Sequence, residues 1–254
     1  VANKNIKLLG DHPLLSYSIA AAKLSSYINR VIVSTDSEDY GVVAKSYGAE
    51  VPFLRPQNLA QDESTDIDFF RHAYNWLKER NYTPDLVVHL RPTTPLRDVS
   101  VIDKALAFMI ENPQATALRS AYKTHLTPYK MFRVTDGFMR PFLSINDVEE
   151  FYNLPRQYFE DAFIPNGYVD ILRPEILNAT DLLHGPNMKL WETSQVPDID
   201  TQDELHAANK LVDDPVFANI VNYLNNPKIA MSYGAMCYSF WIVSFLLPAY
   251  YAQF

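Results

Sequence analysis

The chain has 254 residues, a formal net charge of −8 and a pI near 5.2. Such a balance, with no run of Lys or Arg, argues against a nucleic-acid partner, because the chain as a whole repels a phosphate backbone. Its length suits one large α/β domain or two small ones, and a single cysteine, Cys237, excludes internal disulfides and thiolate metal clusters and fits a reducing cytoplasm.

The chain opens on a loop, Val1 to Gly10, with no secretory signal. It then enters a helix with Pro13 in its first turn. Such a start reads as cut, and a strand central to the sheet, with its phosphate-binding loop, is expected immediately upstream. Arg30 to Asp36 reads as a buried parallel strand whose C-terminal end turns polar. A helix over about 38–47 and a short strand, Ala49 to Phe53, follow. Capping chemistry at Ser64-Thr65-Asp66 starts a helix reaching about Arg80. Asp85 to Leu90 predicts a strand, Arg91 to Arg97 a loop, Val99 to Ile110 a helix and Ala115 to Ala121 a strand.

That alternation predicts a doubly wound, mostly parallel α/β sheet of the Rossmann-like kind, with ligands bound where strand C-termini feed their loops. From about 128 to 165 the periodicity is lost, which predicts an excursion such as a lid or subunit contact. The pattern returns with strands at Tyr168 to Leu172 and Met188 to Val196, then a helix over about Gln202 to Leu211. The domain is therefore drawn over 1–227. From Ile229 to Phe254 there is no Asp, Glu, Lys or Arg. This apolar tail, 228–254, reads as a membrane contact, a buried C-terminal segment or a non-native end.

Several residues carry chemistry in their own right. Asp198 and Asp200 alternate around Ile199, so an extended backbone aims both carboxylates the same way. Two hard oxygens on one face suit Mg²⁺ when triphosphate oxygens complete its octahedron; the alternative is that an Asp here caps the next helix. Lys4 and Asn5 lie in a loop before a helix, a natural phosphate site, although a lone lysine is more often solvated. Arg55 offers a rigid fork to a base edge. Arg91, Thr93, Thr94 and Arg97 suit an acidic sugar and its carboxylate; otherwise the threonines are turn residues and Arg97 a surface charge. His72, His89, His125 and His184 have no metal-ligand spacing and read as structural.

Four ordered stretches resemble the acylneuraminate cytidylyltransferase family. They are Val1-Ala-Asn-Lys-Asn-Ile-Lys7; Val31-Ile-Val-Ser-Thr-Asp36 with Tyr47 to Pro56; Leu90-Arg-Pro-Thr-Thr-Pro-Leu-Arg97; and Pro165-Asn-Gly167 with Asp198-Ile-Asp-Thr201. The resemblance implies transfer of CMP from CTP to the anomeric hydroxyl of a nonulosonic acid, a nine-carbon sialic acid-like sugar. Pyrophosphate leaves, and Mg²⁺ is held by Asp198 and Asp200. By the same resemblance Lys4 contacts the triphosphate, Asn5 the nucleotide, and Arg55 with the backbone near Ser64 the cytosine. Asp200 assists catalysis alongside Lys4. Arg156 and Gln157 surround the sugar, Asn166 and Gly167 floor its pocket, and the excursion makes a homodimer. The chain departs from the pattern twice: Asp66 replaces a small hydroxyl residue and Arg91 replaces a frequent Gln. The rival readings are a Kdo or other sugar nucleotidyltransferase, and a non-catalytic nucleotide-sugar binder.

Overall fold

The computed structural model describes residues 4–61, 63–145, 148–225 and, as backbone, 240–245. Its main sheet combines β3 (Ile28–Ser34), β4 (Leu86–His89), β5 (Ala117–Thr124), β8 (Ala162–Leu172), β9 (Met188–Glu192) and β10 (Phe240–Phe245). Their order across the sheet is β3-β10-β4-β8-β5-β9. β8 pairs antiparallel with both neighbours, and every other pairing is parallel. The sheet is thus mostly parallel, as the alternation predicts.

Two apolar layers sandwich it. On one face Val31, Val33, Val88, Leu118 and Ile171 pack with α1 (Leu14–Leu24), α4 (Val99–Glu111), α6 (Gln202–Asn209) and α7 (Ala218–Asn225). On the other, Ile32, Val87, Ala117 and Leu172 meet α3 (Asp66–Lys78) and α5 (Ile176–Ala179). The period-2 division of each strand between the two layers is what a sheet covered on both faces requires. α3 begins with a Thr65–Asp68 capping box and buries Phe69, Phe70, Ala73, Tyr74 and Leu77, one helical stripe. In α1 nearly the whole helix is buried, and its small residues Ser16, Ser18 and Ala20 to Ala22 let it fit beneath α7. Two-residue strands β1 (Leu8–Leu9) and β2 (His12–Pro13) and helix α2 (Glu38–Ser46) complete the first half.

Four differences from the sequence reading follow from non-local packing. The strand expected over 49–53 reduces to one bridge, Ile32 with Glu50, because Pro52 has no N–H to continue a ladder. β8 begins at Ala162 rather than Tyr168 and holds the Pro-Asn-Gly segment inside it. The excursion contains a hairpin, β6 (Phe132–Thr135) and β7 (Phe138–Pro141), turned at Asp136 and Gly137 with positive φ at both. Finally, the centre of the sheet, where a strand was expected to be lacking, holds β10, drawn from the tail and parallel to β3 and β4. The domain boundary at 227 therefore does not end the sheet. The rest of the tail, 226–239 and 246–254, lies outside the described residues. Among the described residues no helix is long and apolar enough to cross a membrane.

Candidate active site

A large irregularity in β8 organises the site. Arg119 of β5 pairs with Asp170, but Ala121 pairs with Pro165, so residues 166–169 face Ser120 alone. This bulge pushes the backbone of Asn166 to Val169 out of the ladder at the edge where β4 ends. Gly167 there has φ +64, a left-handed conformation, and a Cβ would lie 2.9 Å from Arg91 Cδ. Asn166 is buried, its Nδ2 donating to Thr193 Oγ1 at 2.7 Å and to the Ser194 carbonyl at 3.1 Å.

The displaced carbonyls must find partners, and Arg97 supplies them. Its Nε donates to the Tyr168 carbonyl at 2.6 Å, one terminal nitrogen to the Gly167 and Arg91 carbonyls, and the other to Ser18 Oγ. Thr94 Oγ1 donates to the Asn166 carbonyl at 3.3 Å. Arg97 is 0% exposed, and each of its three guanidinium nitrogens donates to a protein oxygen. The expectation that Arg97 touches substrate is corrected on that ground, and it is not a surface charge either: it scaffolds the bulge. Burial lowers its pKa to about 9, against the pull of Tyr168, Asp170 and Asp198, so it stays cationic at neutral pH. Thr94, also fully buried, shares this scaffold role, and Thr93 accepts the Ile199 N–H at 2.8 Å through its carbonyl.

That last bond pins the acidic segment. Ile199 is buried while Asp198 and Asp200 on either side are exposed, the alternation expected from the sequence. Neither carboxylate is consumed as a helix cap, because Thr201 Oγ1 accepts the Glu204 N–H and Glu204 accepts from the Asp200 and Thr201 N–H groups. Those N–H bonds hold the Glu204 carboxyl below its usual range. Across 196 residues, Lys4 in a 3₁₀ turn reaches the Asp200 carboxylate and pairs with it. The cation and the acids expected around a triphosphate are thus brought together. Among the described residues no three His, Cys, Asp or Glu cluster as a metal site. Two carboxylates fit a hard divalent ion that takes its other ligands from phosphate oxygens.

Arg55 lies at the C-terminal end of β3, 4% exposed. It donates to the Ser34 carbonyl at 3.0 Å and stacks over Phe69 at 5.2 Å. Burial lowers its pKa, and Asp36 and Asp66 oppose that. Asn5 Oδ1, Ser34 Oγ and Asp36 Oδ1 are buried without hydrogen-bond partners. Buried polar atoms left unpaired are costly, and in the loops of a strand C-terminal edge they mark room for a ligand's polar groups. Ser64 is held by its own loop, its Oγ accepting the Gln61 N–H at 2.9 Å.

Arg91 is held by Asp66 at 3.0 Å, so the two positions departing from the family pattern contact each other. Arg156 and Gln157 stand apart, lining a cavity of about 210 Å³ with Thr124, Thr127 and Phe159, and no other expected site residue lines it. Arg156 donates there to the Thr124 carbonyl at 2.9 Å. The sequence reading missed Asp170, Arg119 and Ser120, whose roles depend on strand register. An Asp inside an otherwise apolar strand, Tyr168 to Leu172, was the available signal.

A profile of the family described as cytidylyltransferase matches residues 1–165. The N-acylneuraminate cytidylyltransferase of Escherichia coli is 42% identical over 104 residues, 41% of this chain and 24% of that protein, so the match spans about a quarter of the relative. A post-translational flagellin modification protein B of Campylobacter coli is 30% identical over 209 residues, 81% of this chain and 85% of that protein. A CMP:2-keto-3-deoxy-manno-octonic acid synthetase solved with CTP shares the fold, with a TM-score of 0.60 at 12% identity over 82% of this chain and 91% of that one. A profile match over more than half its length, joined to a relative similar over about four-fifths of both chains, makes the chain a member of the cytidylyltransferase family.

Proposed function

We propose that the chain transfers a cytidylyl group from CTP to the anomeric hydroxyl of a nonulosonic acid and releases pyrophosphate. The observation that carries this is the meeting of Lys4 with Asp200 beside an Asp198 that no helix cap consumes. The E. coli relative's name supplies the acceptor class. The sugar hydroxyl attacks the α-phosphorus, the bond to the β-phosphate oxygen breaks, and pyrophosphate departs with that electron pair. Lys4 neutralises the triphosphate, and Arg55 with Asn5 holds the cytidine. Asp200 accepts the hydroxyl proton directly or through water. Asp198 and Asp200 would hold Mg²⁺, which supplies charge neutralisation to the phosphates when bound. Much of the catalysis is then positioning, which the Arg97-braced bulge and the pinned Ile199 provide.

The hairpin β6–β7 exposes Val134, Phe138 and Met139, with Phe142 beside it. So much apolar surface on one projection fits burial against a second copy, and we assign the homodimer contact there. The single cysteine suits a reducing cytoplasm. Pyrophosphate release is the test, with CTP, Mg²⁺ and a panel of nonulosonic acids plus Kdo. Release with a nine-carbon acid, lost in Asp200→Asn, is expected. Release with Kdo alone would move the acceptor to the eight-carbon class, and CTP binding without release from any sugar would make the chain a binder.

A further inference from the structure

A second group of charged side chains stands on the α3 face of the sheet. Strand register sets His89 of β4, Asp170 of β8 and Arg119 of β5 side by side in one row. Two positions along each strand, Val87, Leu172 and Ala117 pack against α3, so β alternation turns the row to that same face. The His89 ring, 5.2 Å from Phe70 of α3, agrees. Asp66 at the start of α3 and Arg91 at the end of β4 close the group with their 3.0 Å ion pair. His184, in the loop after α5, is within electrostatic reach of Arg91, Arg119 and Asp66.

The two ion pairs differ in depth. Asp170 is 2% exposed and the Asp66 side chain 39%, while Arg119 and Arg91 each keep a third of the side chain exposed. Arg119 Nε stands 3.8 Å from Asp170 Oδ2, beyond a hydrogen bond, and neither it nor Asp170 Oδ1 has a hydrogen-bond partner. Two guanidiniums balance two carboxylates, and burial holds His89 and His184 below their ordinary pKa, hence neutral. With Arg119 and Arg91 each already facing a carboxylate, what the group offers is a set of positioned donors to an uncharged polar group. It adjoins the nucleotide side through Asp66, which acts on both Arg91 and Arg55.

We propose that Arg119, held by Asp170 as its positioning residue, is a specificity determinant for the acceptor sugar, reading with Arg91 a neutral hydroxyl or acylamino substituent. This rests on the acceptor reading above.

The test compares Arg119→Met, Arg119→Lys and Asp170→Asn with the full chain. Steady-state kinetics is run with CTP and nonulosonic acids that differ in their hydroxyl and acylamino groups. Arg119→Met is expected to lower kcat/KM for the preferred sugar about 10- to 100-fold, the worth of a charge-assisted hydrogen bond. The loss falls on the sugar's KM, the KM for CTP is unchanged, and the ranking of sugars flattens. Arg119→Lys does not restore the ranking, because a point charge lacks the fork. Asp170→Asn, nearly isosteric, raises the sugar's KM in the same selective way and carries the test if Arg119→Met fails to fold. Equal losses for all sugars with an unchanged ranking, or a parallel change in the KM for CTP, would overturn the proposal. A wild type active on no sugar defeats the acceptor reading itself; an active wild type indifferent to Arg119 and Asp170 defeats only this inference.

Discussion

Replacing Gly167 with alanine tests whether the β8 bulge builds the site. The residue has φ +64, and an L residue held there costs about 1–2 kcal/mol of backbone strain. The new Cβ would also sit 3.1 Å from Thr94 Oγ1, whose bond to the Asn166 carbonyl at 3.3 Å must yield; a hydrogen bond of this kind contributes about 0.5–1.5 kcal/mol. Its 2.9 Å approach to Arg91 Cδ is relieved by swinging that side chain off Asp66, and a half-exposed ion pair adds only about 0–1 kcal/mol. Together Gly167→Ala loses about 2–4 kcal/mol. Gly137 is the internal control, with φ +79 and nothing within 4 Å of a Cβ, so Gly137→Ala loses the backbone share alone. Urea unfolding midpoints at constant slope report both losses. Pyrophosphate release reports the displaced Arg91, which we expect to weaken the sugar's KM. Equal destabilisation by the two substitutions would refute the steric argument. A destabilised Gly167→Ala enzyme with an unchanged KM for sugar would separate the bulge from substrate binding.

Three further outcomes are expected. Lys4→Met removes the cation paired with the Asp200 carboxylate, so Mn²⁺ alone binds about 1.5- to 5-fold more tightly, the range for an exposed ion pair, while CTP binds more weakly; titration followed by electron paramagnetic resonance would show no gain if the pair does not compete with metal. Burial keeps His89 neutral in the fold, whereas the unfolded chain takes up its proton near pH 6.5, so stability is complete above that pH and lost as pH falls below it. His89→Gln should therefore flatten the acid side of the Tm profile. Asp170, raised by burial, gains its proton first in the folded state and opposes that loss, so Asp170→Asn steepens it; profiles unchanged by both substitutions would refute the assignment. Truncation after Asn226 removes β10 and leaves β3 and β4 without their shared neighbour. The shortened chain should bind a hydrophobic dye and aggregate, and a soluble product with the original Tm would exclude β10 from the sheet.

How much of this was legible depends on whether the deciding interaction is local. The strand expected over Arg30 to Asp36, the helix capped at Thr65 and the alternation around Ile199 all follow from spacing within a few residues; the structure keeps the cap and the alternation and sets the strand two residues earlier, at Ile28–Ser34. Even the open choice between a metal acid and a helix cap turned on a neighbour: Thr201 with Glu204 completes the cap, leaving the aspartates free of that task. Arg97 could not be read in this way. A guanidinium in a Pro-rich loop has the same sequence signature whether it faces a sugar or the carbonyls of Gly167 and Tyr168. Only the bulge, a matter of register between β5 and β8, decides between them. The tail is the same problem at larger scale. A parallel strand buried on both faces reads as an unbroken apolar run, and so does a membrane segment. Residues 240–245 are distinguished only by the two strands that flank them, β3 and β4, which lie roughly 210 and 150 positions earlier in the chain. Asp170 belongs with these cases, because its charge is tolerable only where register brings Arg119 beside it. A polar residue that breaks an apolar strand pattern is therefore a direct pointer to a cross-strand partner, and in this fold that partner lies at the edge where the site forms.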